Sequence, residues 1–116
     1  MVKPENHKPG VKIKLRYVVL HHTGIDPPHF DLMFETAENS KLATWRCPHW
    51  PPKPGDSFTP LGDHRREYLE YQGEISGQRG RVARVAAGTL RSMEPAADHI
   101  LVNLDSGTRI TLPKLR

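Results

Sequence analysis

The residues best suited to chemistry are histidines, seven in a chain of 116. His29-Phe30-Asp31 lies in an alternating run in which Phe30, Leu32 and Phe34 take one side, so the His29 imidazole and the Asp31 carboxylate share the other. That is the spacing of two ligands to one metal ion. The preceding alternating run ends in His21-His22, and the short turn Thr23 to Pro28 predicts that the two strands pair, which brings one of these imidazoles beside His29. Two imidazoles and a carboxylate suit Mn(II), Fe(II) or Zn(II), with positions left for water or substrate. The plainer reading is a hydrogen-bonded His29–Asp31 pair with His22 in a turn. A second constellation is Asp63-His64-Arg65-Arg66-Glu67-Tyr68. His64 and Tyr68 fall on one side of either a helical turn or a strand, and with Arg65 and Arg66 beside them they could hold a phosphate. Guanidinium groups fork its oxygens, while the ring and the phenol can donate protons. The bland alternative is a surface turn with a packed tyrosine.

These side chains need rigid elements to position them, and the hydrophobic pattern supplies strands. Val11, Ile13, Leu15, Tyr17 and Val19 alternate with Lys12, Lys14 and Arg16, a period of two that predicts a strand ending at His21-His22. His29 to Glu35 and Leu42 to Cys47 predict two more. The second of these runs into Pro48-His49-Trp50-Pro51-Pro52-Lys53-Pro54-Gly55-Asp56, a loop that proline keeps out of any sheet interior. Glu67 to Ile75 and Gly80 to Ala86 read as further strands, with Gly73, Gly77 and Gly88 as breaks. Ile100, Val102 and Leu104 face Ile110 and Leu112 across Asp105-Ser106-Gly107, a hairpin. Residues 1–10 are polar and read as a flexible arm, leaving residues 11–116 as one domain. The expected fold is mainly β: a small closed or nearly closed barrel of about six to eight strands with little helix.

Composition agrees with that architecture. Nine glycines and eleven prolines interrupt the chain too often for long helices. Cys47 is the lone cysteine, so no internal disulfide forms, and no apolar run reaches the ~18 residues a membrane span requires. The N-terminus lacks the apolar core of a signal peptide, and a soluble, cytoplasmic protein is expected. Lys and Arg outnumber Asp and Glu by 17 to 13. Arginines cluster between Arg65 and Arg91, which makes either a solvated basic face or a surface for a polyanion.

Tyr17-Val18-Val19-Leu20-His21-His22, then His29-Phe30-Asp31, Trp45-Arg46-Cys47-Pro48 and Gly62-Asp63-His64, with Tyr68, Tyr71 and Gly73-Glu74-Ile75, together resemble the 3′-phosphoesterase domain of bacterial DNA ligase D. The resemblance extends from about Tyr17 to Gly88. It implies a small β-barrel with a manganese-dependent site that trims DNA 3′ ends, removing a terminal ribonucleoside and then the 3′-phosphate. By the same resemblance His22, His29 and Asp31 fall on the metal-ligand positions, and His64 and Tyr68 on positions that hold the scissile phosphate. Arg46, His49, Arg65 and Arg66 would contact phosphate or DNA, and a DNA ligase or other end-joining proteins would be partners. The sequence departs from the pattern at Met33, where the family has an arginine, and at His49, where it has a lysine. Restoring the arginine by Met33→Arg is therefore expected to raise phosphatase activity if the site is merely weakened, and to change little if Arg46, Arg65 or Arg66 already fills the role. The interval from His22 to His29 is one residue longer than in the family, leaving His21 or His22 as the ligand. Two other readings fit the same residues: a barrel that binds nucleic-acid ends or a protein partner without catalysis, and a cupin-like Fe(II) oxygenase with a two-His, one-carboxylate triad.

Overall fold

The computed structural model describes residues 14–114; the expected arm over residues 1–10, and Val11 and Ile13 of the first alternating run, lie outside the described residues. The strands are β1 (Arg16–Thr23), β2 (His29–Glu35), β3 (Leu42–Cys47), β4 (Thr59–His64), β5 (Gly73–Glu74), β6 (Arg81–Pro95), β7 (His99–Leu104) and β8 (Arg109–Pro113). Between β4 and β5 runs a 3₁₀ turn, Arg66–Leu69. All pairings are antiparallel, in the order β4-β3-β2-β1-β6-β7-β8 with β5 against β6. The fold is mainly β, an eight-stranded sheet curled into a nearly closed half-barrel. No helix among the described residues is long and apolar enough to cross a membrane.

Period-two alternation explains the interior. Tyr17, Val19, Leu32, Phe34, Ala43, Trp45 and Cys47 of β1–β3 meet Val102, Leu104, Ile110 and Leu112 of the β7–β8 hairpin in one buried cluster. The hairpin has the register its sequence predicts, Ile100 opposite Leu112 and Val102 opposite Ile110. Gly107 turns the chain at φ 97°, a left-handed conformation that suits glycine. Trp45 ties the two halves together: its ring meets Phe34 edge-on, and its Nε1–H donates to the Pro113 carbonyl at 2.8 Å. Trp45→Phe keeps most of the apolar bulk but removes that donor and part of the ring. A loss of about 1–2 kcal/mol is expected in denaturant unfolding, and a midpoint equal to the wild type's would show that the bond does not help close the barrel.

The other face of β1 and β2 is buried too. Val18, Leu20, Met33, Leu42, Leu69 and Val82 form a second cluster, with Tyr68 and Ile75 packed against it. The 3₁₀ turn and β5 thus make a roof over the outside of the sheet, and burial of each large aliphatic side chain there contributes about 1.5–3 kcal/mol.

Three sequence expectations are corrected. Glu67 to Ile75 is not one strand: a 3₁₀ turn fills its first part and β5 holds only Gly73–Glu74. The apolar residues Leu69 and Ile75 serve the roof instead of a sheet face. Gly88 is not a break, because β6 runs through it to Pro95 and Gly88 pairs with Tyr17. A Cβ at Gly88 would lie 2.6 Å from the Asp105 carboxylate, so any larger residue there would have to displace that side chain. Finally, Thr59–His64 forms β4, a strand without apolar alternation in its sequence.

Candidate metal centre

The register of β1 on β2 places His22 opposite His29 and Leu20 opposite Asp31. Residues opposite one another in an antiparallel pair share a face, so His22, His29 and Asp31 converge on the roofed side of the sheet. His21 is on the other side, stacked on Phe30 with ring centroids 4.4 Å apart. Register therefore selects His22 over His21.

Three donor atoms meet there. His22 Nδ1 lies 3.5 Å from Asp31 Oδ2, and His29 Nε2 lies 3.4 Å from Asp31 Oδ1. All the candidate ligand atoms are within 4.8 Å of one another. Each ring is turned by a bond from its far nitrogen: His22 Nε2–H donates to the Arg79 carbonyl at 2.7 Å, and His29 Nδ1–H donates to the Pro27 carbonyl at 3.1 Å. Because a carbonyl can only accept, both rings carry their proton on the outer nitrogen and, when neutral, aim a lone pair at the carboxylate. Burial pushes the His29 pKa down, opposed by the bond to the Pro27 carbonyl and by the Asp31 charge and assisted by the nearby charge of Arg46. His29 Nε2 and Asp31 Oδ1 are buried without a hydrogen-bond partner.

Two lone pairs facing a carboxylate repel one another unless a cation lies between them. Metal bonds of about 2.1 Å at a tetrahedral angle put their donors about 3.4 Å apart, close to the separations found. Outer nitrogens bonded to backbone carbonyls are the usual means of orienting metal-binding imidazoles. The residues therefore fit a divalent transition metal.

Beside this group opens a cavity of about 120 Å³, lined by His22, Asp31, Met33, His64, Tyr68 and Arg79 among others. His64 and Tyr68 are brought to it as the sequence suggested, their rings edge-on with centroids 5.8 Å apart. His64 Nδ1–H donates to the Gly62 carbonyl at 2.9 Å, leaving Nε2 as its available nitrogen. A larger cleft of about 270 Å³ adjoins through the shared residues Tyr68, Ile75 and Arg79, and adds Arg65, Glu67, Tyr71, Glu74 and Ser76.

The four expected phosphate contacts are dispersed. Arg46 pairs with Asp31 across β3 and is exposed, close enough for its charge to act on His29. Arg65 lines the larger cleft with its guanidinium 5.9 Å from the centre of the Tyr68 ring. Arg66 is committed elsewhere: it meets the buried Glu35 at 2.7 Å and donates to the Ser40 carbonyl at 2.7 Å, clamping the roof to the sheet. His49 is held in the proline loop by Asp56, at 2.9 Å and 3.1 Å, and lines neither the cavity nor the cleft. The Lys53 amide, followed by His49, holds the Asp56 carboxyl below the usual range. Met33 is 1% exposed, between the cavity and the second apolar cluster.

The residue that sequence reasoning passed over is Arg79, which appeared only as one of a run of arginines. The available signal was its setting between Gly77 and Gly80, a tight turn that fixes a side chain in place. The fold and site together define a β half-barrel with a roofed candidate metal centre. No family model matches the sequence, and no curated protein does.

Proposed function

We propose that the chain is a divalent-metal-dependent phosphoesterase acting on DNA 3′ ends, removing a terminal 3′-phosphate or ribonucleoside. The observation that carries this reading is the convergence of His22, His29 and Asp31, with His29 Nε2 and Asp31 Oδ1 unpartnered, beside a small cavity lined by His22, Asp31, His64, Tyr68 and Arg79. The resemblance to the ligase D phosphoesterase domain supports the same residues. Manganese is the metal we assign, with zinc as the alternative for the same donor set.

A divalent cation in this centre supplies Lewis acidity toward a phosphoryl oxygen. His64, fixed by its bond to Gly62, can hold a proton at Nε2 for the departing 3′ oxygen, with the Tyr68 ring against it to limit rotation. Water adds to phosphorus and the ester P–O bond breaks; the 3′ oxygen leaves with the proton held by His64, the proton lost by water returns to His64 Nε2, and the products are a 3′-hydroxyl and inorganic phosphate. Pockets that bury whole ligands run to about 300–1,000 Å³, so the smaller cavity suits a phosphoryl group while the adjoining cleft takes what it is attached to. That division favours a strand end over a continuous strand.

The test is phosphate release from a 3′-phosphorylated primer–template. Release is expected with Mn²⁺ and not with EDTA, and His22→Ala should slow it about a hundredfold or more, equivalent to about 2.7 kcal/mol of barrier. Wild-type protein that releases nothing with Mn²⁺ or Zn²⁺, yet binds DNA as well as His22→Ala does, would make it a binding barrel without catalysis. The burial of Met33 at the family's arginine position is the observation that favours that second reading.

A further inference from the structure

Arg79 forms part of the wall of both compartments, and its main chain and side chain face different tasks. The turn that carries it has left-handed backbone at Gly77 (φ 76°), Gln78 (φ 58°) and Gly80 (φ 81°). Gly80 approaches β1 so closely that a Cβ there would lie 2.2 Å from the Thr23 carbonyl oxygen. Gly24 faces it, where a Cβ would come within 3.1 Å of the Gly80 Cα. Both positions need glycine for conformation and for space. This close approach sets the Arg79 carbonyl against His22 Nε2 and so aims the opposite nitrogen at Asp31.

The side chain folds back on its own turn. Its Nε–H donates to the Ser76 carbonyl at 2.7 Å and its NH2 to the Ser76 hydroxyl at 3.2 Å. These bonds use two of the five N–H donors of a guanidinium, fixing the group and leaving three for a ligand. Its charge is also uncommitted. Arg65 meets Glu67, Arg66 meets Glu35 and Arg81 meets Glu74, whereas among the described residues no carboxylate pairs with Arg79. It is also the sole Lys or Arg among the described residues lining the smaller cavity. A fixed, unpaired fork beside a candidate metal is the arrangement that grips a phosphoryl group by two oxygens.

We infer that Arg79 is the phosphate-binding residue of this site, taking through a neighbouring turn the task that Met33 cannot perform from β2. The inference rests on the metal-dependent reading above and adds to it the residue that recognises the anion. Neither Arg46 nor Arg66 fills this role, since the one does not line the cavity and the other is bound to Glu35.

The experiment is calorimetric titration of Mn²⁺, and then of inorganic phosphate, into the wild type, Arg79→Ala and Arg79→Lys, with thermal melting to confirm folding. Alanine retains the backbone carbonyl that orients His22, so its Mn²⁺ affinity should stay within about twofold of the wild type's while phosphate affinity falls about fivefold or more. Lysine should recover part of the phosphate affinity, as a single charge without the fork. A fall in phosphate affinity smaller than about fivefold overturns the inference. So does a parallel loss of Mn²⁺ affinity, which would show that Arg79 acts only through His22. Wild-type protein that fails to bind Mn²⁺ at all defeats the parent reading first, before phosphate is added.

Discussion

Asp31→Asn is expected to melt above the wild type in EDTA and below it in saturating Mn²⁺. In the metal-free protein the Asp31 carboxylate faces two imidazole lone pairs, with Oδ1 and His29 Nε2 buried and unpartnered. Each such orphaned group costs about 1–3 kcal/mol. An asparagine amide of the same shape can donate to one ring nitrogen, recovering about 1–2 kcal/mol, or roughly 5–10 °C for a domain of this size. The carboxylate charge that would hold the metal is lost with it. Metal then stabilises only the wild type, by mass action, and phosphatase activity of the variant should fall about a thousandfold, about 4 kcal/mol of barrier. Paired melts with EDTA and Mn²⁺ read the crossing directly. A variant less stable in EDTA, or one that gains as much from Mn²⁺ as the wild type, would show that Asp31 is a structural residue.

Met33→Arg separates the family pattern from this molecule's packing. On the resemblance alone the arginine should raise activity. In the structure Met33 is 1% exposed and belongs to the cluster of Val18, Leu20, Leu42, Leu69 and Val82 beneath the roof. A guanidinium there loses its hydration. Of the adjacent carboxylates, Glu35 is already engaged by Arg66, and Asp31 is the one that would hold the metal. Placing a charge in such a site costs about 3–5 kcal/mol when it is unpaired. If the new group pairs with Asp31 instead, it competes with the metal. The expected result is a loss of stability of about 3 kcal/mol or more with no gain in phosphate release. A variant that melts like the wild type and turns over about tenfold faster would show that the cavity accepts a second guanidinium after all.

Much of this site could be read before the structure because strand periodicity is strict. Alternation in His29–Glu35 fixes which residues accompany Asp31, and a short turn makes pairing with the preceding strand the simplest connection. The choice between His21 and His22 needed the register, since adjacent residues differ only in which face they take. β4 was hidden because Thr59–His64 contains Pro60 and Gly62 and has no apolar alternation, as expected of an edge strand with one solvent-facing side. The segment after it misled by composition: Tyr68, Leu69 and Ile75 have strand-like side chains, but their partners are on the outer face of a sheet formed elsewhere in the chain. Arg79 escaped because what sets it apart is a backbone carbonyl bonded to His22 and, among the described residues, the lack of a pairing carboxylate, neither of which a residue type announces.

The roof is the outer layer of the molecule, and one of its turns reaches the candidate metal centre. The candidate metal ligands sit on β1 and β2, which are locked from both sides, so a change that shifts either strand disturbs the barrel interior as well. Residues 66–80 are attached through Leu69, Ile75, the Arg66 clamp, the pairing of β5 with β6, the bond from Arg84 to the Leu69 carbonyl and the bond from His22 to the Arg79 carbonyl. They supply Tyr68, Tyr71 and Arg79, most of the surface that a bound molecule would meet. A side-chain exchange in this segment can therefore change what the cavity and the cleft present to a ligand, while the main-chain carbonyl at position 79 still orients His22.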